Sequence, residues 1–357
     1  MIRNVHFPEG LNDTIYQGPH FGIANPLAKT SRNICVINSD YDCIDLGVIS
    51  EAYIQRVNYS PACDLEEYYK RVPLTPCGNK VTDSYRIMLR RMLNQSGERT
   101  LIAAIEPPYT GHVSTVLELD FPIRLIPIVS GIMASIVADF YIRVTGKADA
   151  YFDTIKNLPI PSKYHNEIIV RTLLLNCVTN HYAELWKYSW RDEFKQQNWA
   201  KKDIRLSNSH FKILNSCWNW KTPLRTDYER RQALIEIDVL IAMSLNMTIE
   251  QLKTIYRIQF PVLQSYEEDT WYDVNGRITF TTNRSMVGIG YDRKTWEKEV
   301  KDAPAGKKFY RTIMDDTMPG GPVERIIEYV APFDRCDREQ DYETAWKFFE
   351  EQLGGKS

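Results

Sequence analysis

Apolar residues recur with two different periods in this chain of 357 residues. In the first part they alternate with polar residues in short runs, separated by turns that contain proline, glycine and asparagine, which is typical of strands. These β-rich runs lie at 33–38, 100–105 and 114–119. Two helices are also predicted, one at 83–93 and one, rich in small residues, at 128–143. The first part of the chain is therefore expected to mix helices with strands.

The middle of the chain has the period of an amphipathic helix. A long helix is predicted at 163–190, because its apolar residues recur every three or four positions and form one stripe. Two more helices are predicted at 227–245 and 249–257. The second of them follows a capping-box pair, Thr248 and Gln251. A stripe of this kind needs a partner, so these helices are expected to pack together.

The last part returns to strands. Asn275 and Gly276 lie between β-branched and aromatic runs, which is the strongest short signal for a β-hairpin. A final helix is predicted from about Arg338, with Asp337 as its N-cap. Together the patterns predict an α+β protein. Its parts are a mixed α/β module at 1–161, a helical spacer at 162–265, and a small β-rich region at 266–357 that ends in the helix.

Charge is unevenly distributed although the formal net charge is only −2. Residues 162–265 contain 15 Lys and Arg against 10 Asp and Glu, and residues 186–231 contain eleven against five. The same stretch carries five of the eight tryptophans. Basic residues interleaved with aromatic ones suit nucleic acid, since cations attract phosphates and flat rings stack on bases. The alternative is a tryptophan-rich core with a solvated basic rim, and the sequence leaves both open.

The remaining composition limits the cellular setting. Seven widely spaced cysteines with no C-x-x-C indicate neither a zinc site nor a disulfide framework, and no other metal site is predicted. The start of the sequence lacks the features of a secretory signal. The most apolar stretch, 123–144, is interrupted by charged residues and a proline, which argues against a membrane span. The protein is therefore expected to be soluble and cytoplasmic, with no membrane partner.

One short motif suggests catalysis. Glu106, Pro107, Pro108 and Tyr109 follow an apolar, strand-like run. Enzymes that methylate amino groups of DNA place an Asn-, Asp- or Ser-Pro-Pro-aromatic tetrad after a strand. The first side chain accepts a hydrogen bond from the target amino group, and the aromatic ring stacks on the flipped base. Glutamate is one methylene longer, and no upstream glycine turn for S-adenosylmethionine is found, so a strand that ends in a Pro-Pro turn is the preferred interpretation.

Longer blocks of the sequence resemble a known family. The run 153–161, Asp-Thr-Ile-Lys-Asn-Leu-Pro-Ile-Pro, resembles the exit of target-recognition domains in specificity subunits of restriction-modification enzymes. Further blocks are similar to the carboxy-terminal half of large adenine-specific DNA methylases of the type IIG-like and DISARM-type defence systems. These blocks are YQGPHFGIANPLAKT, residues 45–59, QSGERTLIAAIEPP, residues 247–261, DTWYDVNGRITFT, DDTMPGGPVER and APFDRCDREQDYETAWKFF.

This resemblance implies a DNA-recognition role without catalysis in this chain. The family's methyl-transfer domain would lie before the first residue, so no cofactor is expected here and S-adenosylmethionine is expected on a catalytic partner. The implied partners are double-stranded DNA, a methyltransferase subunit or domain, and other phage-defence proteins. Two alternatives remain. One is a degenerate or complete methyltransferase that uses Glu106 to Tyr109, and the other is a protein-interaction subunit of a defence complex.

Candidate DNA contacts follow from residue chemistry. Arginine can bond guanine in a bidentate manner and asparagine can bond adenine, while lysine contacts phosphate. Arg86 and Arg90 share a face of the predicted helix. For each candidate, the alternative is a side chain that does not contact DNA because it is solvated or bonded within the core. The candidates in the first module are Lys29, Arg32, Arg56, Asn58, Arg86, Arg90, Arg91, Arg99 and His112, and those for phosphate in the spacer are Lys201, Lys202 and Arg205.

Overall fold

The computed structural model describes residues 1–37 and 39–353 and has a mixed α+β fold, which confirms the predicted fold class. Its first part contains nine short strands and one helix. In chain order these are β1 (Ile2–His6), β2 (Ile15–Tyr16), β3 (Lys29–Ser31), β4 (Tyr41–Cys43), β5 (Val57–Ser60), α1 (Leu65–Lys70), β6 (Arg86–Arg90), β7 (Ala103–Glu106), β8 (Gly111–His112) and β9 (Val116–Leu119). The predicted strands at 100–105 and 114–119 are confirmed, whereas residues 33–37 form no strand and residue 38 lies outside the described residues.

The central sheet of this part has three antiparallel strands in the order β7-β6-β9. Ile87 on the middle strand faces Ile105 on one side and Leu119 on the other. The helix predicted at 83–93 is therefore wrong. Successive side chains of β6 point to opposite faces, and both faces are covered, so Ile87, Met88 and Leu89 are all buried. Arg86 and Arg90 still share a face, but it is the face of a strand.

Two helices replace the single one predicted at 128–143. They are α2 (Ile126–Ala134) and α3 (Ile136–Val144), and they meet at an angle of 69°. Ser135 between them is extended, with φ −75° and ψ 151°, and its hydroxyl accepts a hydrogen bond from the amide of Ala138. The bend therefore comes from a serine that caps the second helix. Among the described residues no single helix is long and apolar enough to span a membrane; α2 and α3 together have a suitable composition but are bent.

The middle of the chain is helical, as predicted, but its first helix is shorter. The helices are α4 (Phe152–Ile155), α5 (His165–Asn176), α6 (Ala183–Ser189), α7 (His210–Ile213), α8 (Asp227–Ser244), α9 (Ile249–Gln259) and α10 (Pro261–Glu268). The helix predicted at 163–190 is divided into α5 and α6. Asn176 accepts a hydrogen bond from the amide of Ile105, and Trp218 donates one to the carbonyl of Cys177, so tertiary contacts end α5 there. The two following helices and the capping box of Thr248 are confirmed.

The helix α2 packs on α5 through Gly131. A Cβ atom at this position would lie 2.5 Å from the Thr172 hydroxyl and 2.7 Å from a methyl group of Ile168. We expect Gly131→Ala to lower the free energy of unfolding by about 1 to 3 kcal/mol, because the two helices would have to separate. Urea denaturation measures this change. Ser130→Ala on the same helix is the control and should be neutral, since the buried Ser130 hydroxyl has no partner among the described residues; equal losses in both variants would contradict close packing at Gly131.

The last part of the chain contains two hairpins and the terminal helix. Its elements are β10 (Trp271–Tyr272), β11 (Ile278–Phe280), α11 (Arg293–Thr295), β12 (Lys308–Asp315), β13 (Val323–Val330), β14 (Asp334–Arg335) and α12 (Arg338–Leu353). The predicted Asn-Gly hairpin is confirmed: β10 pairs with β11, and Gly276 has the positive φ of +81° that this turn requires. The Asp337 carboxylate accepts hydrogen bonds from the amides of Glu339 and Gln340, which confirms the predicted cap of α12.

One hydrophobic core includes residues from all three predicted parts, from Ala24 to Phe349. Polar contacts also join these parts. The Arg56 guanidinium bonds to the Asp316 carboxylate through contacts of 2.9 and 3.0 Å. The Arg230 guanidinium donates to the carbonyl of Ala24. The parts therefore pack directly on each other, and a small additional core lies under β12 and β13.

A fully buried ion pair connects α5 and α8. The Nε of Arg171 lies 2.6 Å from the Glu236 carboxylate, and neither side chain is exposed to solvent. The second carboxylate oxygen of Glu236 accepts a hydrogen bond from the amide of Ala200 at 2.8 Å. Arg171 also donates to the Gln197 side chain and the Asn198 carbonyl. The pair thus fixes residues 197–200 against the helices.

Candidate functional site

Four of the predicted DNA contacts are buried side chains that bond to other parts of the chain. At most 5 % of each is exposed. Arg56 is held by Asp316, and the Nε of Arg99 lies 2.6 Å from Asp139. A contact between DNA and any of these side chains would require the surrounding structure to open. The four residues are Arg56, Asn58, Arg86 and Arg99.

Five further candidates from the first module lie nearer the surface, and four of them have partners within the chain. Arg90 is half-buried and donates to the carbonyls of Gly18 and Phe21 at 2.7 and 2.6 Å. Burial lowers its pKa to about 10. Lys29 is half-buried in β3, where burial lowers its pKa. The remaining pairs are Arg32 with Asp42, Arg91 with Asp149, and His112 with Glu118.

The three spacer candidates also differ in whether they pair with a carboxylate. The Nζ of Lys201 lies 2.7 Å from the Asp341 carboxylate, and the Nε of Arg205 lies 2.7 Å from Asp203. Lys202 is exposed and makes no ion pair with a carboxylate in residues 1–37 or 39–353. Only Lys202 of the twelve predicted contacts is therefore both exposed and without a charged partner in the part of the chain that the structure describes.

Four other lysines of the same segment share these properties. Each is exposed, and none forms an ion pair with a carboxylate of the described residues. We call the five together the lysine surface. Lys212 and Lys221 have no carboxylate within four residues on either side, a signal that the sequence analysis missed. The lysine surface consists of Lys187, Lys195, Lys202, Lys212 and Lys221.

Packing between short elements brings part of the lysine surface together. The helix α7, which carries Lys212, contacts the single turn at Asp192–Gln196, which carries Lys195. Lys187 lies on α6, whose Trp186 donates a hydrogen bond to the carbonyl of Asn215, shortly after α7. Beside Lys187, the Tyr188 ring is 59 % exposed. Cations and an exposed aromatic ring therefore occur on the same surface segment.

Four of the five tryptophans of this segment pack in or against the main hydrophobic core. Trp186 and Trp199 are buried, and the other three are half-buried. Trp218 donates its indole N–H to the carbonyl of Cys177, and Trp220 donates to that of Ile49. Buried and half-buried tryptophans beside solvated lysines match the second interpretation of the sequence, a tryptophan-rich core with a solvated basic rim.

The motif from Glu106 to Tyr109 is divided between the interior and the surface. Glu106 is fully buried, with its carboxylate 3.1 Å from the Nε of Arg86. Burial raises the pKa of Glu106, and the Arg86 charge opposes this increase. Glu118 lies 3.4 Å from Arg86 on the other side. Tyr109 points instead to the surface and is 50 % exposed.

Tyr109 lines an open cavity of about 490 Å³ that we call the tyrosine pocket. The helix α1, which is not among the predicted helices, forms one wall with Tyr68 and Tyr69. The lining also includes Asn12, Thr82 and His181. No sequence signal pointed to this cavity, because its walls come from segments far apart in the chain. The full lining is Leu11, Asn12, Leu65, Tyr68, Tyr69, Val72, Thr82, Tyr109 and His181.

The described residues contain no group of three or more His, Cys, Asp or Glu side chains placed to hold a metal ion. The seven cysteines are free thiols. Comparisons of the chain with protein-family models, with curated proteins and with solved structures find no match, so its function is inferred from its own residues.

Proposed function

We propose that this chain is the DNA-recognition part of an adenine-specific methylation system of the restriction-modification or phage-defence type, and that it holds DNA through the lysine surface. The observation that carries the proposal is the set of five exposed lysines without a carboxylate partner among the described residues. The resemblance of the sequence blocks to adenine-specific methylases supplies the class of system.

The physical basis is the charge of the DNA backbone. A lysine that already pairs with a carboxylate gains little from a phosphate, because it must give up its partner. An unpaired, solvated lysine gains the contact and releases counterions from the DNA. Such contacts position a protein on the duplex without reading its sequence. The lysine surface therefore accounts for affinity, and base contacts would have to come from other side chains.

The geometry supports a reader in preference to a catalyst. A methylation tetrad needs its first side chain to face the target amino group. The Glu106 carboxylate is buried against Arg86 and does not line the tyrosine pocket. Under the proposal, S-adenosylmethionine binds a partner chain or domain that carries the methyl-transfer chemistry.

Fluorescence anisotropy with a labelled pool of random duplexes tests the proposal. If four or five lysines contact phosphates, the logarithm of the dissociation constant should rise with the logarithm of salt concentration with a slope of about 4. Selection from the pool should then enrich one sequence. Binding that is absent, or that does not change with salt, would contradict the proposal and favour a protein-interaction subunit. Tight binding of S-adenosylmethionine to this chain, measured by calorimetry, would contradict the assignment of the cofactor to a partner.

A further inference from the structure

The hairpin of β12 and β13 has edges that pair with no other strand of the described residues. Its two strands have eight residues each and are the longest in this part of the chain. They form a separate sheet of two strands, so each strand has only one neighbour. An unpaired edge presents a row of free amide and carbonyl groups, and natural proteins usually protect such edges with charged residues, bulges or covering segments. An edge of this hairpin that lacks such protection can bind a further strand.

Backbone hydrogen bonds show which groups of β12 point outward. The amide of Ala331 donates to the carbonyl of Lys307, just before the ladder between β12 and β13 begins. The direction of bonding alternates from one residue to the next along an antiparallel strand. The amides and carbonyls of Tyr310, Thr312 and Met314 therefore point away from β13. None of these groups has a hydrogen-bond partner among the described residues.

The side chains along the edge of β12 do not protect it. Tyr310 is 61 % exposed and Met314 is 65 % exposed, and Thr312 between them is exposed as well. Arg311 lies on the opposite face and donates to the carbonyl of Gly288. The register of the eight residue pairs is regular, without a bulge. The outer face at the centre of β12 is therefore uncharged and continuous, which favours pairing with another strand.

A second copy of the same strand fits this edge. In an antiparallel pair with a two-fold axis at Thr312, each Thr312 faces its own copy, and Tyr310 of one chain faces Met314 of the other. The backbone groups of all of these residues point outward, so each pair can exchange both of its hydrogen bonds. Beyond them, Lys308 faces Asp316 of the other copy, although each also has a partner within its own chain. Opposite charges therefore meet at both ends, and no like charges do.

The edge of β13 does not fit its own copy in this way. Its outward-pointing residues include Glu324 and Glu328, which lie on either side of Ile326. A two-fold axis at Ile326 would place Glu324 of each chain opposite Glu328 of the other, and like charges in opposite positions destabilise a sheet. The carbonyl of Val330 also accepts a hydrogen bond from the amide of Val274, which covers one end of this edge. The distribution of charge therefore favours β12, with a second copy of the chain as the occupant.

We propose that two copies of this chain associate through their β12 strands, which pair antiparallel about Thr312 and join the two hairpins into one sheet. The contact between two single strands is small, so the dissociation constant of the dimer is expected to be about 1 to 100 µM, as in transient interfaces. The interface shares no residue with the lysine surface. Self-association and DNA binding can therefore be measured separately, and failure of one does not decide the other.

Sedimentation equilibrium of the full chain, at concentrations below and above the expected dissociation constant, tests the proposal. Thr312→Pro removes the central outward amide but no bond to β13, so it should weaken the dimer by about ten- to a hundredfold. Ile326→Pro makes the same change at the facing position of β13, and this control should dimerise normally. The thermal unfolding midpoint shows whether both variants are folded. A chain that stays monomeric, or a dimer that loses as much affinity in the control as in Thr312→Pro, would overturn the proposal.

A pair of charged variants tests the symmetry of the interface without proline. Because residue 312 faces its own copy, Thr312→Lys and Thr312→Glu should each weaken the dimer by about fivefold through the repulsion of like charges. An equimolar mixture of the two variants should recover the association, since a lysine then faces a glutamate. Sedimentation equilibrium of each variant and of the mixture measures this recovery. If the mixture associates no better than the separate variants, the strands do not pair about Thr312 and the proposal is wrong.

Discussion

Replacing Lys187, Lys195 and Lys212 together by glutamine is expected to weaken binding to a random duplex by about 10²- to 10³-fold at low salt. These three lysines lie on short elements that pack on each other, and none pairs with a carboxylate among the described residues. Each phosphate contact contributes about 0.9 to the salt slope, so the slope should decrease by about 2.7. Anisotropy titrations at several salt concentrations measure both quantities.

The matched control replaces three exposed lysines outside this segment. Lys163, Lys298 and Lys347 are likewise exposed and unpaired among the described residues, so their replacement by glutamine changes the net charge equally. The control should reduce the affinity far less, through the general loss of charge alone. If both triple variants lose affinity equally, long-range attraction explains binding and the lysine surface is not the contact site. An unchanged thermal unfolding midpoint shows that the variants are folded.

Glu236→Leu is expected to lower the free energy of unfolding by about 3 to 5 kcal/mol. The substitution leaves the Arg171 guanidinium buried without a counter-charge, since both partners of this pair are inaccessible to solvent. It also removes the acceptor for the amide of Ala200. Denaturation in urea measures the loss. The structure around residues 197–200 should loosen first, and this can be followed by hydrogen exchange of their amides.

Two further variants distinguish the buried charge from general damage. The double variant Arg171→Met, Glu236→Leu removes both charges and should recover part of the lost stability, because no unpaired ion remains. Glu66→Leu interrupts an exposed pair with Lys70 and should have little effect, since water screens such pairs. A double variant that is less stable than Glu236→Leu alone would show that the ion pair itself, and not the unpaired charge, determines stability here.

Signals that lie within a few residues of each other were sufficient to predict several elements. The hairpin at Asn275 and Gly276 and the helix caps at Thr248 and Asp337 depend on contacts between residues at most nine positions apart. The division of the helix predicted at 163–190 and the wrong helix at 83–93 have the opposite origin. At these positions, partners that are distant in sequence decide whether the chain forms a helix or a strand and where a helix ends. Ile87, for example, pairs with Ile105 and Leu119.

The candidate site shows the same difference between features that local sequence predicts and features that depend on distant residues. Composition identified the basic, tryptophan-rich segment, because charge can be counted without a fold. It could not show which cations are neutralised, since Lys201 finds its partner at Asp341, 140 positions later. The sequence could not predict the tyrosine pocket for a similar reason. Its walls come from Leu11, Tyr69, Tyr109 and His181, which only the tertiary structure brings together.

The bond between Arg56 and Asp316 links residues 260 positions apart. During synthesis the amino-terminal sheets leave the ribosome long before their counter-charge has been translated. A nascent chain must therefore keep the Arg56 guanidinium hydrated until the second hairpin emerges, because burying it alone would cost too much. The first part can begin to collapse early, but it can complete its interior only after nearly the whole polypeptide is available.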